Sequence, residues 1–135
     1  RCLFSLDLRA PTDAQRDAMV TDVLDELAKI AQRRGLRYTI EESMRAAAAP
    51  SAPALQHHWE RAVDALGVPV FRMPSGAGHD AMKLHEIMPQ AMLFTRGQNS
   101  GISHNPLEST TNNDIQLTVD AFTQVLHQLA EETQP

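Results

Sequence analysis

Cysteine is nearly absent: Cys2 is the one thiol among 135 residues. No disulfide can form within the chain, which agrees with a reducing compartment, and the expected location is the cytoplasm. No apolar run approaches the roughly 18 to 20 residues of a membrane span, and the opening Arg1-Cys2-Leu3-Phe4 lacks the ordered regions of a signal peptide. Neither a membrane partner nor export is expected. The formal charge of -5 is spread along the chain without a basic stripe, which speaks against a nucleic-acid partner. Internal repeats and long low-complexity segments are also missing.

What remains is an ordinary globular composition, 42% hydrophobic and 21% charged, in a length that suits one domain. The first residue is not methionine and the first residues already read as a strand, so the chain is expected to begin inside a larger fold. Cys2, Phe4, Leu6 and Leu8 alternate with Leu3, Ser5, Asp7 and Arg9, the period of a strand with one apolar face, where Cys2 is a packing residue. Thr12 followed by Gln15 fits a capping box. The helix that it opens carries Met19, Val20, Val23, Leu24, Leu27, Ile30 and Ala31 at helical spacing and stops at Gly35. Leu36, Tyr38 and Ile40 alternate again, giving strand, helix, strand over residues 1 to 43.

The stretch Ala46 to Ala54, broken by Pro50 and Pro53, reads as a domain crossing. Beyond it, Leu55, Trp59, Ala62, Val63 and Leu66 form a helical face, Val68 to Met73 a strand, Ala81 to Met88 a helix, and Ala91 to Thr95 a strand. Thr111 with Asp114 caps a final helix that carries Ile115, Val119, Phe122, Leu126 and Leu129. This helix-strand-helix-strand-helix order predicts parallel strands with crossover helices. The fold class expected is therefore α/β: an α+β piece over residues 1–45, then part of an α/β domain over residues 54–135.

Two turns place a histidine among Gly, Ser or Pro residues, Pro74 to Ala81 (PSGAGHDA) and Gly101 to Glu108 (GISHNPLE), where loops on a scaffold tend to carry function. Pro106 stiffens the backbone just past His104, which suits a metal ligand; a histidine that caps or packs the loop is the alternative. His79 follows Gly76-Ala77-Gly78 directly before a predicted helix, where backbone N–H groups favour an anion; a glycine-rich cap aided by Asp80 is the plainer reading. Arg9 offers a planar fork for a carboxylate, or it simply neutralises Asp7 two positions away. Glu108 could accept a hydrogen bond behind the ligand or be a solvated carboxylate, and it is left out of the site. His57, His58, His85 and His127 read as structural or solvated, and Met82, Met88 and Met92 as core filler.

The two histidine turns, about 25 residues apart, together with Phe4-Ser5-Leu6-Asp7-Leu8-Arg9, resemble the C-terminal part of the hydantoinase/carbamoylase group of M20-like metal-dependent amidohydrolases. This group includes allantoate amidohydrolase and N-carbamoyl-L-amino acid hydrolase. The resemblance implies hydrolysis of a ureido or carbamoyl C–N bond, with Met92-Leu93-Phe94 and the GISHNP stretch nearer the allantoate enzymes. It implies His104 as a metal ligand, His79 as a catalytic and substrate-binding residue, and Gly78 and Arg9 as substrate-binding, Arg9 at the substrate carboxylate. It further implies residues 1–45 as the C-terminal half of a lid and dimerisation domain and residues 54–135 as the C-terminal part of the catalytic domain, hence a homodimer. Two divalent ions, zinc or manganese, belong to the complete enzyme. Their other ligands and the general base have no counterpart here, so this chain alone is expected to be inactive and to hold the ions weakly. An N-carbamoyl-L-amino acid or N-carbamoyl-β-alanine is the alternative substrate, and a non-catalytic dimerisation module the alternative of another class.

Overall fold

A computed structural model of the chain describes residues 1–132; the last three residues of the expected second domain, 133–135, lie outside the described residues. Among the described residues there are four α-helices, α1 (Asp13–Arg34), α2 (Pro53–Ala65), α3 (Ala81–Leu84) and α4 (Asn112–Glu132), with one turn of 3-10 helix at Asn99–Gly101.

The long helices begin and end for local reasons. Thr12 Oγ1 accepts the Gln15 N–H at 3.3 Å, the first half of the expected capping box of α1, while Gln15 Oε1 accepts from the Thr12 hydroxyl at 3.0 Å rather than from its backbone N–H. At the other end Gly35 takes φ 62°, and the Leu36 and Gly35 N–H groups return to the carbonyls of Ala31 and Gln32. Gly67, at φ 69°, closes α2 in the same way, its N–H bonding Asp64 and that of Val68 bonding Val63. Pro53 opens α2, at a position where a missing N–H costs nothing. In α4, Thr111 Oγ1 accepts the Asp114 N–H at 3.0 Å and donates to the Asp114 carboxylate.

The α/β expectation is overturned. Among the described residues there is no β-strand and no parallel pair, and segments 1–10, 36–49, 68–80 and 91–98 are irregular. Backbone hydrogen bonds outside the helices are almost all those of turns and caps, so no ladder joins these segments. Period-two alternation states which face a strand would bury, but a strand exists only where a neighbour accepts and donates its backbone bonds. Most large apolar residues of the first two segments consequently stay in solvent, Leu8 being half-buried: Leu3 is 91% and Phe4 68% exposed, and Cys2 is exposed rather than packed. The helix expected over Ala81 to Met88 is also shortened, passing after Leu84 into turns ahead of Pro89.

The chain forms two compact units, one of Arg1–Pro50 with Pro74–Met82, the other of Ser51–Met73 with Lys83 onward. In the first, α1 turns a half-buried stripe of Val20, Val23, Leu27 and Ile30 about buried Ala31. The Asp13 carboxylate accepts the Ala48 N–H at 2.9 Å, Asp17 pairs with Arg45 at 2.6 Å, and Arg16 reaches the Ala46 carbonyl, tying the irregular stretch to α1.

In the second unit α2 packs on α4. Ala62 (0% exposed), Ala121 and Val125 form the buried centre, with Trp59, Leu66, Leu93 and Leu129 against it, and Trp59 stacks on Phe122 with ring centroids 5.9 Å apart. His58 is buried in the same unit, Nδ1 2.9 Å from Gln128 Oε1 and Nε2 3.3 Å from the Glu132 carboxylate, a structural role as expected. No helix of the described residues is long and apolar enough to cross a membrane.

Because Ala121 is buried in the core where α2 packs on α4, Ala121→Leu overfills the contact and is expected to cost roughly 1–3 kcal/mol. Urea unfolding followed by helical circular dichroism measures it.

Candidate functional site

In the first unit, Arg9 and the glycine-rich turn come together although 67 residues separate Arg9 from Gly76: Arg9 Nη1 donates to the Gly76 carbonyl at 2.7 Å. The same guanidinium holds Asp7 in a fork, with Nε 2.9 Å from Oδ1 and Nη2 2.5 Å from Oδ2. The expected ion pair is thus present, on an irregular segment rather than a strand. It occupies Nε and one hydrogen of Nη2, and Gly76 takes one of Nη1. One N–H on each terminal nitrogen remains for an incoming acceptor. The hydrogen bonds from Arg9 hold the Asp7 carboxyl below its usual range, and Asp7 in turn raises Arg9, so the guanidinium stays charged.

The turn itself is organised by its own polar atoms. Ser75 Oγ donates to the Ala77 carbonyl at 2.9 Å, the His79 carbonyl accepts the Met82 N–H at 2.9 Å, and His79 Nδ1 accepts the Ala81 N–H at 3.1 Å. The His79 side chain, like the rest of the turn, is open to solvent. A Cβ placed on Gly78 would meet only the Met82 sulfur at 3.6 Å, an ordinary contact, and one on Gly76 would meet nothing within 4 Å. Nothing in the fold of the chain therefore demands glycine at either position.

His104 belongs to the second unit, in a loop closed at its base by the Gln98 N–H to the Ser109 carbonyl, 2.8 Å, and by Ser109 Oγ to Gln98 Oε1, 2.9 Å. Asn99, Ser100 and His104 all take left-handed backbone conformations, His104 at φ 55°, uncommon and costly for residues other than glycine. Asn99 Nδ2 donates to the Leu107 carbonyl, and Asn105 Oδ1 accepts the Leu107 N–H. Glu108, left out of the site on sequence grounds, bonds to the backbone of His104: its carboxylate accepts the His104 N–H at 2.8 Å. The four-residue spacing from His104 across Pro106 was the available signal, but only a folded loop shows that the carboxylate turns back rather than out.

Donors for a metal are few. Among the described residues no group of three or more His, Cys, Asp and Glu side chains could hold an ion, so His104 stands as a single imidazole and the residues present do not by themselves fit a two-metal site.

A family model described as Peptidase family M20/M25/M40 matches residues 2–128. The chain is 34% identical over 131 residues to an N-carbamoyl-L-amino acid amidohydrolase of Geobacillus stearothermophilus, covering 97% of this chain and 32% of that protein. It is 32% identical over 131 residues to an allantoate amidohydrolase of Bacillus subtilis, 96% of this chain and 31% of that protein. With an allantoate deiminase of Arabidopsis thaliana it shares 34% over 122 residues, 83% of this chain and 23% of that protein. The chain therefore spans about a third or less of the length of these relatives. No solved structure matches it.

Two expectations follow from the geometry. Gly78→Ala leaves stability within about 0.5 kcal/mol of the parent by thermal unfolding, so that any accompanying loss of ligand binding reports on approach to the turn. The depressed Asp7 carboxyl makes the Arg9–Asp7 bond persist at and above the ordinary carboxylate range and fail only as pH falls through the lower folded value. The Arg9 Nε–H resonance should accordingly hold its shift down to about pH 4 and move only below it.

Proposed function

The chain belongs to peptidase family M20/M25/M40, and on that premise we propose that it is the C-terminal portion of an amidohydrolase that cleaves a ureido or carbamoyl C–N bond, with allantoate as its substrate. The observation that carries this reading is the meeting of Arg9 with the Gly76–His79 turn through the 2.7 Å bond to the Gly76 carbonyl. A charged guanidinium with two unspent N–H groups and the imidazole three residues past Gly76 are the donors on which this reading draws. Their complement is a small molecule bearing a carboxylate and a polar carbonyl.

Peptidases of this family are generally dependent on two metal ions, which supply an activated water and polarise a carbonyl. His104 is the donor this chain offers toward them, zinc and manganese both accepting imidazole. The remaining donors would have to come from elsewhere. Arg9 and Gly78 bind the substrate, and His79 binds it and stabilises the charge that develops beside it. A second substrate, an N-carbamoyl-L-amino acid, is favoured by the relative of that name at 34% identity. Preference for allantoate rests on the sequence around Met92 to Phe94 and Gly101 to Pro106.

Assay of a complete enzyme carrying this sequence, with allantoate and N-carbamoyl amino acids compared by kcat/KM, tests the reading. Preference for the carbamoyl amino acid removes allantoate, and no turnover of either with metal supplied removes the class. Arg9→Ala is expected to raise KM by about 10- to 100-fold through loss of a charged hydrogen-bond donor. The 135-residue chain alone is expected to release no ammonia from allantoate; metal-dependent release at enzyme-like rates would show that it needs no further donors.

A further inference from the structure

The proton arrangement on His79 can be read from one bond. His79 Nδ1 lies 3.1 Å from the backbone nitrogen of Ala81 and accepts its N–H. A backbone N–H can only donate, so Nδ1 must present a lone pair, and the single proton of the neutral ring must sit on Nε2. The alternative tautomer would set two donors against each other, and a half-turn of the ring would replace the acceptor by a carbon and leave the Ala81 N–H without this partner. The Met82 N–H bonded to the His79 carbonyl at 2.9 Å holds the same turn closed.

We infer that His79 is a tautomer-locked hydrogen-bond donor: its inner nitrogen is spent on the Ala81 amide, and its outer corner offers Nε2–H to an acceptor oxygen of the ligand. It is then neither a general base nor a metal ligand in the neutral form, since neither nitrogen has a free lone pair. The chemical class it selects is an oxygen acceptor, a carbonyl or carboxylate. Arg9, bonded to Gly76 in the same unit, is likewise only a donor. This inference rests on the reading of His79 as a substrate-side residue.

Long-range proton–nitrogen NMR on the 15N-labelled chain tests the lock, with His79 assigned from its variants. The expected signature is an Nε2–H ring with no detectable Nδ1–H form, and an Ala81 amide whose hydrogen exchange quickens roughly 10-fold in His79→Ala. His79→Asn, whose Oδ1 replaces Nδ1, keeps that amide protected. In the complete enzyme the substitutions divide: His79→Gln, which carries a donor to the outer corner, retains more kcat/KM than His79→Asn. A predominant Nδ1–H form, or an Ala81 amide indifferent to His79→Ala, overturns the lock. If the NMR signature holds while both Asn and Gln leave kcat/KM unchanged, the donor role toward substrate is overturned and with it the substrate-side reading, whereas the tautomer stands.

Discussion

The close approach of α2 and α4 is the constraint on which the second unit depends. Ala62, Ala121 and Val125 are the small side chains buried at the centre of that contact. Larger groups then close the contact from its margins, Trp59 against Phe122 and Leu66, Leu93 and Leu129 around the alanines. With α4 held, its Thr111 cap is held, and Thr110 Oγ1 reaches the Arg96 carbonyl while Thr95 and Thr118 share a hydrogen bond of 3.0 Å. These bonds anchor both ends of the loop that carries His104. The left-handed His104 is solvent-exposed, and the bond of its backbone N–H to the Glu108 carboxylate is among the contacts that hold it.

The first unit is held by other means. Its buried apolar residues are few, and much of what joins its irregular stretches to α1 is charge: Asp13 and Asp17 on the helix against the Ala48 N–H and Arg45, and Arg16 against the Ala46 carbonyl. Exposed pairs of this kind contribute little each and weaken in salt. The Arg9 and His79 arrangement belongs to this softer unit, and its geometry rests on hydrogen bonds from the turn to itself. A donor-rich site needs fixed proton positions more than a large core, and His79 and Arg9 have theirs set by a backbone amide and by a carboxylate.

Membership of the M20/M25/M40 family and the donor character of this surface bear on the same chemistry from different sides. The family concerns the whole reaction, whereas the chain shows which of its atoms donate and which accept. One imidazole without companion donors cannot make a two-metal centre, while a guanidinium and an Nε2–H can recognise an oxygen anion on their own.

What the sequence alone determined was local. Thr12, Gly35 and Thr111 with Asp114 specified helix ends through bonds spanning only a few residues, and each is found where the spacing requires, whereas Pro53, which reads as part of a domain crossing, opens α2. The turns around Gly78, His79 and His104 were legible too as turns, because turn chemistry is written in adjacent positions. Tertiary structure alone decided the rest. The alternation of Cys2 to Leu8 and Leu36 to Ile40 could not become strands, since pairing depends on a second backbone that no local pattern supplies. The bond from Arg9 to Gly76, the return of Glu108 to the His104 N–H and the burial of His58 between Gln128 and Glu132 depend equally on groups brought together only by folding.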